Sequence, residues 1–243
     1  MTLPWLSVVT VVKDDASGFS ATAHSLAAQN IAGLEYLVID GSIDGESIPE
    51  RMNSASLEHL AQITVYQWIA PTGIYQAMNT GLSLARGTFV YFLNAGDVFV
   101  ATSVLKKVRG ELETSNAAWG YAPVEIEDDH GSIVTTPPWD FKEEAQFGFA
   151  RGHFPCHQGT FVRTDVLRSI GGFDTSFMVA ADYAVFLRLA QVSPPLEIDG
   201  VVARFVEGGT STRNWRRSIL EFHRARRSIL DFRGMDSLRE YVN

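Results

Sequence analysis

Apolar residues in the first hundred positions alternate between two spacings. Leu6–Val12 (LSVVTVV) is a short, β-branched, nearly continuous run, the pattern of a strand buried on both faces. Phe19, Thr22, Ala23, Leu26 and Ala27 then recur at three- and four-residue steps and predict an amphipathic helix. Tyr36–Ile39 predicts a second buried strand that runs into the turn-rich Asp40-Gly-Ser-Ile-Asp-Gly45. A helix is expected over Ile48–Leu60 and a third strand over Ile63–Ile69. Ile74, Ala77, Met78, Gly81, Leu82 and Ala85 share one helix face, and Thr88–Leu93 predicts a fourth strand. Strand and helix alternating at this spacing predict a parallel sheet with crossover helices.

The second half is less regular. Ala117–Glu127 and Ile133–Thr136 predict strands of a different, antiparallel set, and residues 137–152 read as loop with some helix. Gly159–Val162 predicts a short strand and Gly171–Asp174 a turn. A helix opens near Asp182, burying Tyr183, Phe186, Leu187 and Ala190, and Val201–Val206 predicts a last strand before Gly208-Gly209. A helix from about Asn214 to Phe232 would align Trp215, Ile219, Phe222 and Ile229. With no internal repeat or low-complexity linker, the 243 residues are expected to form one α/β domain. Within it we distinguish a regular half (1–115), an irregular half (116–212) and a tail (213–243).

Composition supports a folded, enzyme-sized unit: 46% of residues are hydrophobic and 15 are Phe. Cys156 is the sole cysteine, which rules out an intramolecular disulfide and fits a reducing compartment. Residues 1–15 have no basic segment ahead of their strand-length apolar run, and no apolar stretch nears the roughly 20 residues needed to cross a bilayer. A soluble, cytoplasmic protein is therefore expected. The net charge of −8 hides an asymmetry: from Arg213 onward eight arginines face four carboxylates, so the tail carries +4 and the rest −12. An acidic body argues against nucleic-acid binding. The basic, partly apolar tail helix suits peripheral contact with the anionic inner face of a membrane, or packing on the domain with a solvated basic face.

Ligands of an open parallel sheet bind outside the carboxyl ends of its strands. Here the first strand delivers Lys13, Asp14 and Asp15, the second Asp40 and then Asp44, and the fourth Asn94-Ala-Gly-Asp97. Carboxylates at three strand ends suit a divalent cation, or acceptance of hydrogen bonds from ribose and base, better than bare phosphate. Walker A and G-x-G-x-x-G loops are both missing, which disfavours a P-loop kinase or a dinucleotide dehydrogenase. A diphosphate bridged by Mg²⁺ or Mn²⁺ fits better. Each acid also has a local alternative. Asp14 and Asp15 can cap the first helix, and Asp44, with Ser47 three residues on, reads as a cap. Asp40 can close an Asx-turn, Asp182 alone reads as a helix cap, and His157 alone as a structural histidine. Gly96 beside Asp97 would let backbone approach a ligand, and Gly208–Ser211 reads as a turn or a loop over the site.

Together, six strings resemble the family 2 glycosyltransferases, inverting enzymes of the GT-A fold, and most closely a bacterial subgroup that builds cell-surface polysaccharides or glycolipids. They are Leu6–Val12, Leu37-Val-Ile-Asp-Gly-Ser42, Gly73-Ile-Tyr-Gln-Ala-Met-Asn-Thr-Gly81, Phe92-Leu-Asn-Ala-Gly-Asp97, Cys156-His-Gln158 and Ala180-Ala-Asp-Tyr183, and they span about Leu6 to Ser211. The resemblance implies a Rossmann-like, mostly parallel sheet with flanking helices, a smaller antiparallel acceptor-side sheet and C-terminal helices. It implies nucleotide-sugar contacts at Thr10, Val11, Val12, Asp14, Asp40, Asn79, Asn94, Ala95, Gly96 and Asp97, with Mn²⁺ or Mg²⁺ on Asp97. Asp182 falls at the catalytic-base position, and His157 and Gln158 on the acceptor side. The implied reaction moves a sugar from a UDP-, GDP- or dTDP-sugar to a hydroxyl of a glycan or lipid-linked acceptor. Departures from the subgroup are Lys13, Asp14, Trp68–Thr72, Gln76 and Asn94. Gln76 and Asn94 keep a non-catalytic sugar-nucleotide binder as an alternative. A sugar nucleotidyltransferase is disfavoured, since no basic glycine-rich loop follows the first strand.

Overall fold

In a computed structural model of the chain, the described residues are 3–43, 63–137, 154–206 and 215–230, with Ile48 and Phe141. Asp44, most of the helix expected over Ile48–Leu60, the 142–152 segment and Gly208–Ser211 lie outside them. The regular half follows the pattern: β1 (Leu6–Val12), α1 (Ala16–Ala27), β2 (Leu34–Asp40), β3 (Val65–Trp68), α2 (Ile74–Leu84) and β4 (Phe89–Phe92). Then come β5 (Val98–Phe99), α3 (Val104–Thr114), β6 (Trp119–Tyr121), β7 (Val124–Glu127) and β8 (Ile133–Thr135). The remainder is β9 (Thr160–Arg163), α4 (Thr164–Ser169), α5 (Ala181–Val192), β10 (Leu196–Glu197), β11 (Ala203–Val206) and α6 (Trp215–Ile229).

The main sheet has seven strands in the order β10-β6-β9-β4-β1-β2-β3. Its neighbours run parallel except at β9, which lies antiparallel between β4 and β6. A second sheet runs β5-β11-β7-β8. This corrects one expectation. The stretch read as one strand, Ala117–Glu127, divides at Ala122-Pro123, where proline has no N–H for a ladder. Its first part, β6, joins the main sheet, and its second, β7, pairs antiparallel with β8 and parallel with β11. The smaller sheet is therefore mixed.

Alternation along β1 explains its unbroken apolar run. Leu6, Val8 and Val12 pack with Phe19, Leu105 and Phe161 on one face, while Val9 packs with Met78, Tyr183 and Phe186 on the other. Contact between α2 and β1 is close enough to exclude a side chain at Gly81, whose Cβ would stand 2.4 Å from Val9 Cγ1. At the amino ends of the strands the buried Glu35 carboxylate accepts from Ser7 Oγ (2.6 Å) and from Arg86 N (2.7 Å) and Nε (2.5 Å). These bonds outweigh burial, which alone would raise the Glu35 pKa, and hold it below the usual value. The tail helix α6 packs on α5, with the Phe222 ring 4.9 Å from Tyr183 and Ala225 buried. Among the described residues no helix is long and apolar enough to cross a membrane.

Candidate active site

The carboxyl ends of β1 and β2 are stitched together by the acids that the sequence singles out. Asp15 caps α1, its Oδ1 accepting from Gly18 N at 2.8 Å. Asp14 does something else. It sits at φ +55°, donates its N–H to Ser42 Oγ (2.9 Å) and accepts from Ile43 N (3.1 Å). Asp40 is fully buried, and its Oδ1 accepts from Ser42 N (2.8 Å), an Asx-turn. Its Oδ2 accepts from Ile48 N (3.1 Å) and from the Tyr66 hydroxyl. Trp68 donates its indole N–H to Ser42 O (3.0 Å). Thr10 is buried, bonding Leu93 O at 2.7 Å, and Val12 is buried in the core, so only Val11 of the three is partly open. Side chains of this edge thus set the shape of the Ser42-Ile43 turn.

Beyond β4 the chain turns through Asn94–Asp97. Ala95 N still pairs with Val11 O (3.1 Å), and Asp97 N closes on Asn94 O (2.9 Å). Gly96 sits at φ +95°, with nothing within 4 Å of a would-be Cβ, so the turn's backbone conformation is what demands glycine there. Thr22 of α1 holds this turn: its Oγ1 donates to Asp97 O (2.7 Å) and accepts from Gly96 N (3.0 Å). Further along α1, Ser25 accepts from Phe99 N (3.2 Å), and Gln29 bonds Ala101 O (2.8 Å) and Leu105 N (3.0 Å). Sequence reasoning placed Thr22 on the helix's packing face and passed over Ser25 and Gln29. Their three- and four-residue spacing beside that face was the available signal.

Asp97 is only 8% exposed, and burial pushes its carboxyl up to about 7 against lowering bonds from Asn94 backbone and the Gln158 side chain. Its Oδ2 and Asn94 Oδ1 are buried acceptors with no hydrogen-bond partner. Two unpaired hard oxygens in one four-residue turn are the donor type a divalent cation takes, and a cation beside Asp97 would keep it ionised. Among the described residues no group of three His, Cys, Asp or Glu side chains could hold a metal unaided.

A 3₁₀ turn, His157–Gly159, carries the next residues. It sits tight against the β6–β7 break: a Cβ on Gly159 would lie 2.2 Å from Ala122 O. This seat puts His157 Nε2 3.2 Å from Asn94 Nδ2 and Nδ1 3.9 Å from Asp182 Oδ2. Asp182 lies in the first turn of α5, its Oδ1 accepting from Tyr183 N (2.7 Å) with the Tyr75 hydroxyl at 3.4 Å. Burial pushes the Asp182 carboxyl up to about 6 and the His157 imidazole down to about 4. At neutral pH, then, Asp182 is mostly ionised and His157 neutral. The Asn94 amide nitrogen faces Nε2, and Nδ1 faces Asp182 beyond hydrogen-bond length. Cys156 is raised to about 11 by burial and stays a thiol.

The structure therefore groups Asn94, Ala95, Gly96, Asp97, His157, Gln158 and Asp182 at one edge and adds Tyr75, which lies in the Gly73–Gly81 string but has no role assigned from sequence. It gives Asn79 a different partner. That amide bonds Phe173 O (2.7 Å) and Phe173 N (2.9 Å), tying α2 to the Gly171–Phe173 turn instead of presenting itself to a nucleotide.

Comparison with known proteins bears on the family and the fold. The model of "Glycosyl transferase family 2" matches residues 7–171. A glycosyltransferase of Mycobacterium tuberculosis, described as uncharacterized, is 28% identical over 217 residues, which cover 86% of this chain and 78% of the relative. A PGL/p-HBAD biosynthesis glycosyltransferase of Mycobacterium bovis is 26% identical over 196 residues, 77% of this chain and 70% of the relative. S. aureus TarS 1-349 in complex with UDP-GlcNAc superposes with a TM-score of 0.69 at 16% identity, covering 92% of this chain and 65% of that one. Against the longer TarS chain the match spans 41% of its length. The mannosyltransferase PcManGT from Pyrobaculum calidifontis, in complex with GDP-Man and Mn²⁺, gives 0.61 at 18% identity, over 96% and 66% of the two chains. Its fold is GT-A, and the chain belongs to glycosyl transferase family 2.

Proposed function

We propose that this glycosyltransferase moves a sugar from a nucleoside-diphosphate donor to a hydroxyl of a glycan or lipid-linked acceptor, with inversion at the anomeric carbon. The observation that carries the reading is the single chain of contacts from the Asn94–Asp97 turn through His157 to Asp182. The two unpaired oxygens of that turn and the Asp182 carboxylate support a donor-side cation and a base close together. The mycobacterial relatives support surface glycolipid synthesis as the setting, and the UDP-GlcNAc and GDP-Man complexes of the structural neighbours support a nucleotide-sugar donor.

In this reading the nucleoside lies along the β1–β2 rim. Asp14 and Asp40 act there through the Ser42-Ile43 turn they hold, and Val11 lines the rim from β1. Asp97 and Asn94 would hold Mn²⁺ or Mg²⁺, and the ion would supply stabilisation of negative charge on the diphosphate leaving group. Asp182 takes the proton of the attacking hydroxyl, and its raised pKa matches it to general-base work near neutrality. His157, neutral at working pH, borders that carboxylate without neutralising it. A base on the face opposite the leaving group gives inversion in a single displacement.

Proton NMR of the free sugar released by slow donor hydrolysis, in the presence of Mn²⁺, tests the stereochemistry. An α-linked donor should yield the β-anomer first, and initial release of the α-anomer would overturn the single-displacement reading.

A further inference from the structure

The first turn of α5, which carries Asp182, has no side-chain cap of its own. Its N-cap is Ala180, which cannot accept a hydrogen bond through its side chain. An acceptor from the tail instead holds the backbone that leads into the helix. Glu221, in the middle of α6 and 7% exposed, aims its carboxylate at the three residues that lead into the helix. Oε2 accepts from Met178 N (2.9 Å), Val179 N (2.8 Å) and Ala180 N (3.2 Å), and Oε1 from Met178 N at 3.1 Å. Arg217, one turn earlier in α6, donates to Oε1 at 2.8 Å. Those bonds outweigh burial and hold the Glu221 pKa below its usual value, so the carboxylate is charged at neutral pH.

The same short segment is held from the opposite side. Tyr75 of α2 donates its hydroxyl to Val179 O (2.6 Å), and that hydroxyl stands 3.4 Å from Asp182 Oδ1. Around this clamp, Arg224 bonds Ser176 Oγ (3.0 Å) and lies over the Phe177 ring (4.9 Å), while Phe222 meets Phe154 and Tyr183. Backbone that enters the Asp182 turn is thus fixed by one carboxylate and one phenol from two separate helices.

We propose that Glu221 is a positioning residue for Asp182: the tail helix, through this carboxylate, completes the active site by fixing the entry to α5. The role is specific to one acceptor at one place. Arginines elsewhere in the tail are not needed for it. The inference rests on Asp182 serving as the base, and the test below separates the two.

The test uses the full chain with Glu221→Ala, Glu221→Gln and Asp182→Asn. The Asp182 carboxyl titration is followed by ¹³C NMR and assigned by its absence in Asp182→Asn. Nucleoside diphosphate release is measured in parallel with UDP-GlcNAc and GDP-Man. In Glu221→Ala the freed entry segment should open Asp182 to water, lowering its proton affinity about ten-fold, and Glu221→Gln, which keeps one acceptor oxygen, should restore part of the difference. An Asp182 titration unchanged in folded Glu221→Ala overturns the inference. If Glu221→Ala does not fold, Glu221→Gln decides alone, and a wild-type titration there overturns it. Should the titration move as expected while Asp182→Asn releases nucleoside diphosphate at the wild-type rate, the positioning stands and the base assignment falls. An inactive Asp182→Asn with an unmoved titration in Glu221→Ala keeps the base assignment and overturns the positioning role.

Discussion

His157 Nδ1 stands 3.9 Å from the carboxylate of Asp182, although 25 positions separate them and they arrive on different elements, a 3₁₀ turn and a helix start. Because the other imidazole nitrogen meets Asn94, this pair joins the strand-end chemistry of the regular half to the irregular half. Consequences for pH, metal and stability follow from the environments of these groups.

The first concerns Asp182. Burial raises its pKa from the ordinary value of 3.8 to about 6, and a general base works only when ionised. Turnover should therefore rise with pH through about 6 at saturating Mn²⁺, and a flat profile between pH 5 and 7 would remove the assignment. The linkage sign makes a second check. A carboxylate with a raised folded pKa stabilises the fold only while protonated, and that contribution is lost as pH rises through about 6. Asp182→Asn should then melt at or above the wild-type temperature at pH 8, which a purely structural aspartate would not allow.

Asp97 leads to a metal prediction. Its carboxyl, pushed up to about 7 by burial, must lose its proton before it can hold a cation. Mn²⁺-dependent donor binding should strengthen as pH rises from 6 to 8 and release a proton measurable by calorimetry in buffers of different ionisation enthalpy. Asp97→Ala should abolish the Mn²⁺ dependence. Donor affinity equal with and without Mn²⁺ in the wild type would count against a metal at this turn.

At the far edge of the sheet, Glu35 offers a control remote from chemistry. Its buried carboxylate takes three hydrogen bonds from Ser7 and Arg86. Glu35→Ala should cost about 2–3 kcal/mol, as expected when a charged acceptor leaves buried donors unpaired. Because its folded pKa lies below 4.5, its stabilisation is present above that value and lost as pH falls through the folded pKa. Equal acid denaturation of wild type and Glu35→Gln would refute this.

The tail presents a further expectation. While α6 buries Glu221 and Ala225 against the domain, Ile219 (57% exposed) and Leu220 (70% exposed) stay open, and Arg227 is exposed too. We expect that outer face to bind vesicles containing anionic lipid in sedimentation assays, weakening between 50 and 300 mM salt at about the screening these concentrations impose. No binding at low salt removes membrane contact and leaves only the packing role.

Sequence pattern revealed the regular half because its strands are buried on both faces and its helices on one, so periodicity alone separates them. It failed where burial does not fix an element's identity. Ala117–Glu127 reads as one strand, since Pro123 changes only the hydrogen bonding; the partner strand then decides which sheet each part enters. On α3 the buried Val104, Leu105, Val108 and Leu112 are diluted by Lys106, Lys107, Arg109, Glu111 and Glu113, so the helix escapes a reading led by apolar runs. Within the site, Asp14 and Asp15 look alike as adjacent acids, and only the αL backbone at Asp14 separates the turn-holder from the cap. Asp182, His157 and Gln158 were reached through family resemblance and not through pattern, because their proximity depends on contacts between separate elements. The roles of Tyr75, inside the Gly73–Gly81 string, and of Glu221 depend on such contacts as well.

The central claim is that Asp182 removes the acceptor proton while leaving donor binding to the β1, β2 and β4 ends. Its most direct test measures two quantities on Asp182→Asn: nucleoside diphosphate release and calorimetric affinity for the donor, both with Mn²⁺. We expect release to fall by about 10²–10⁴-fold, the range supplied by general-base catalysis, while donor affinity stays within about two-fold of wild type. Wild-type-like release would contradict the account.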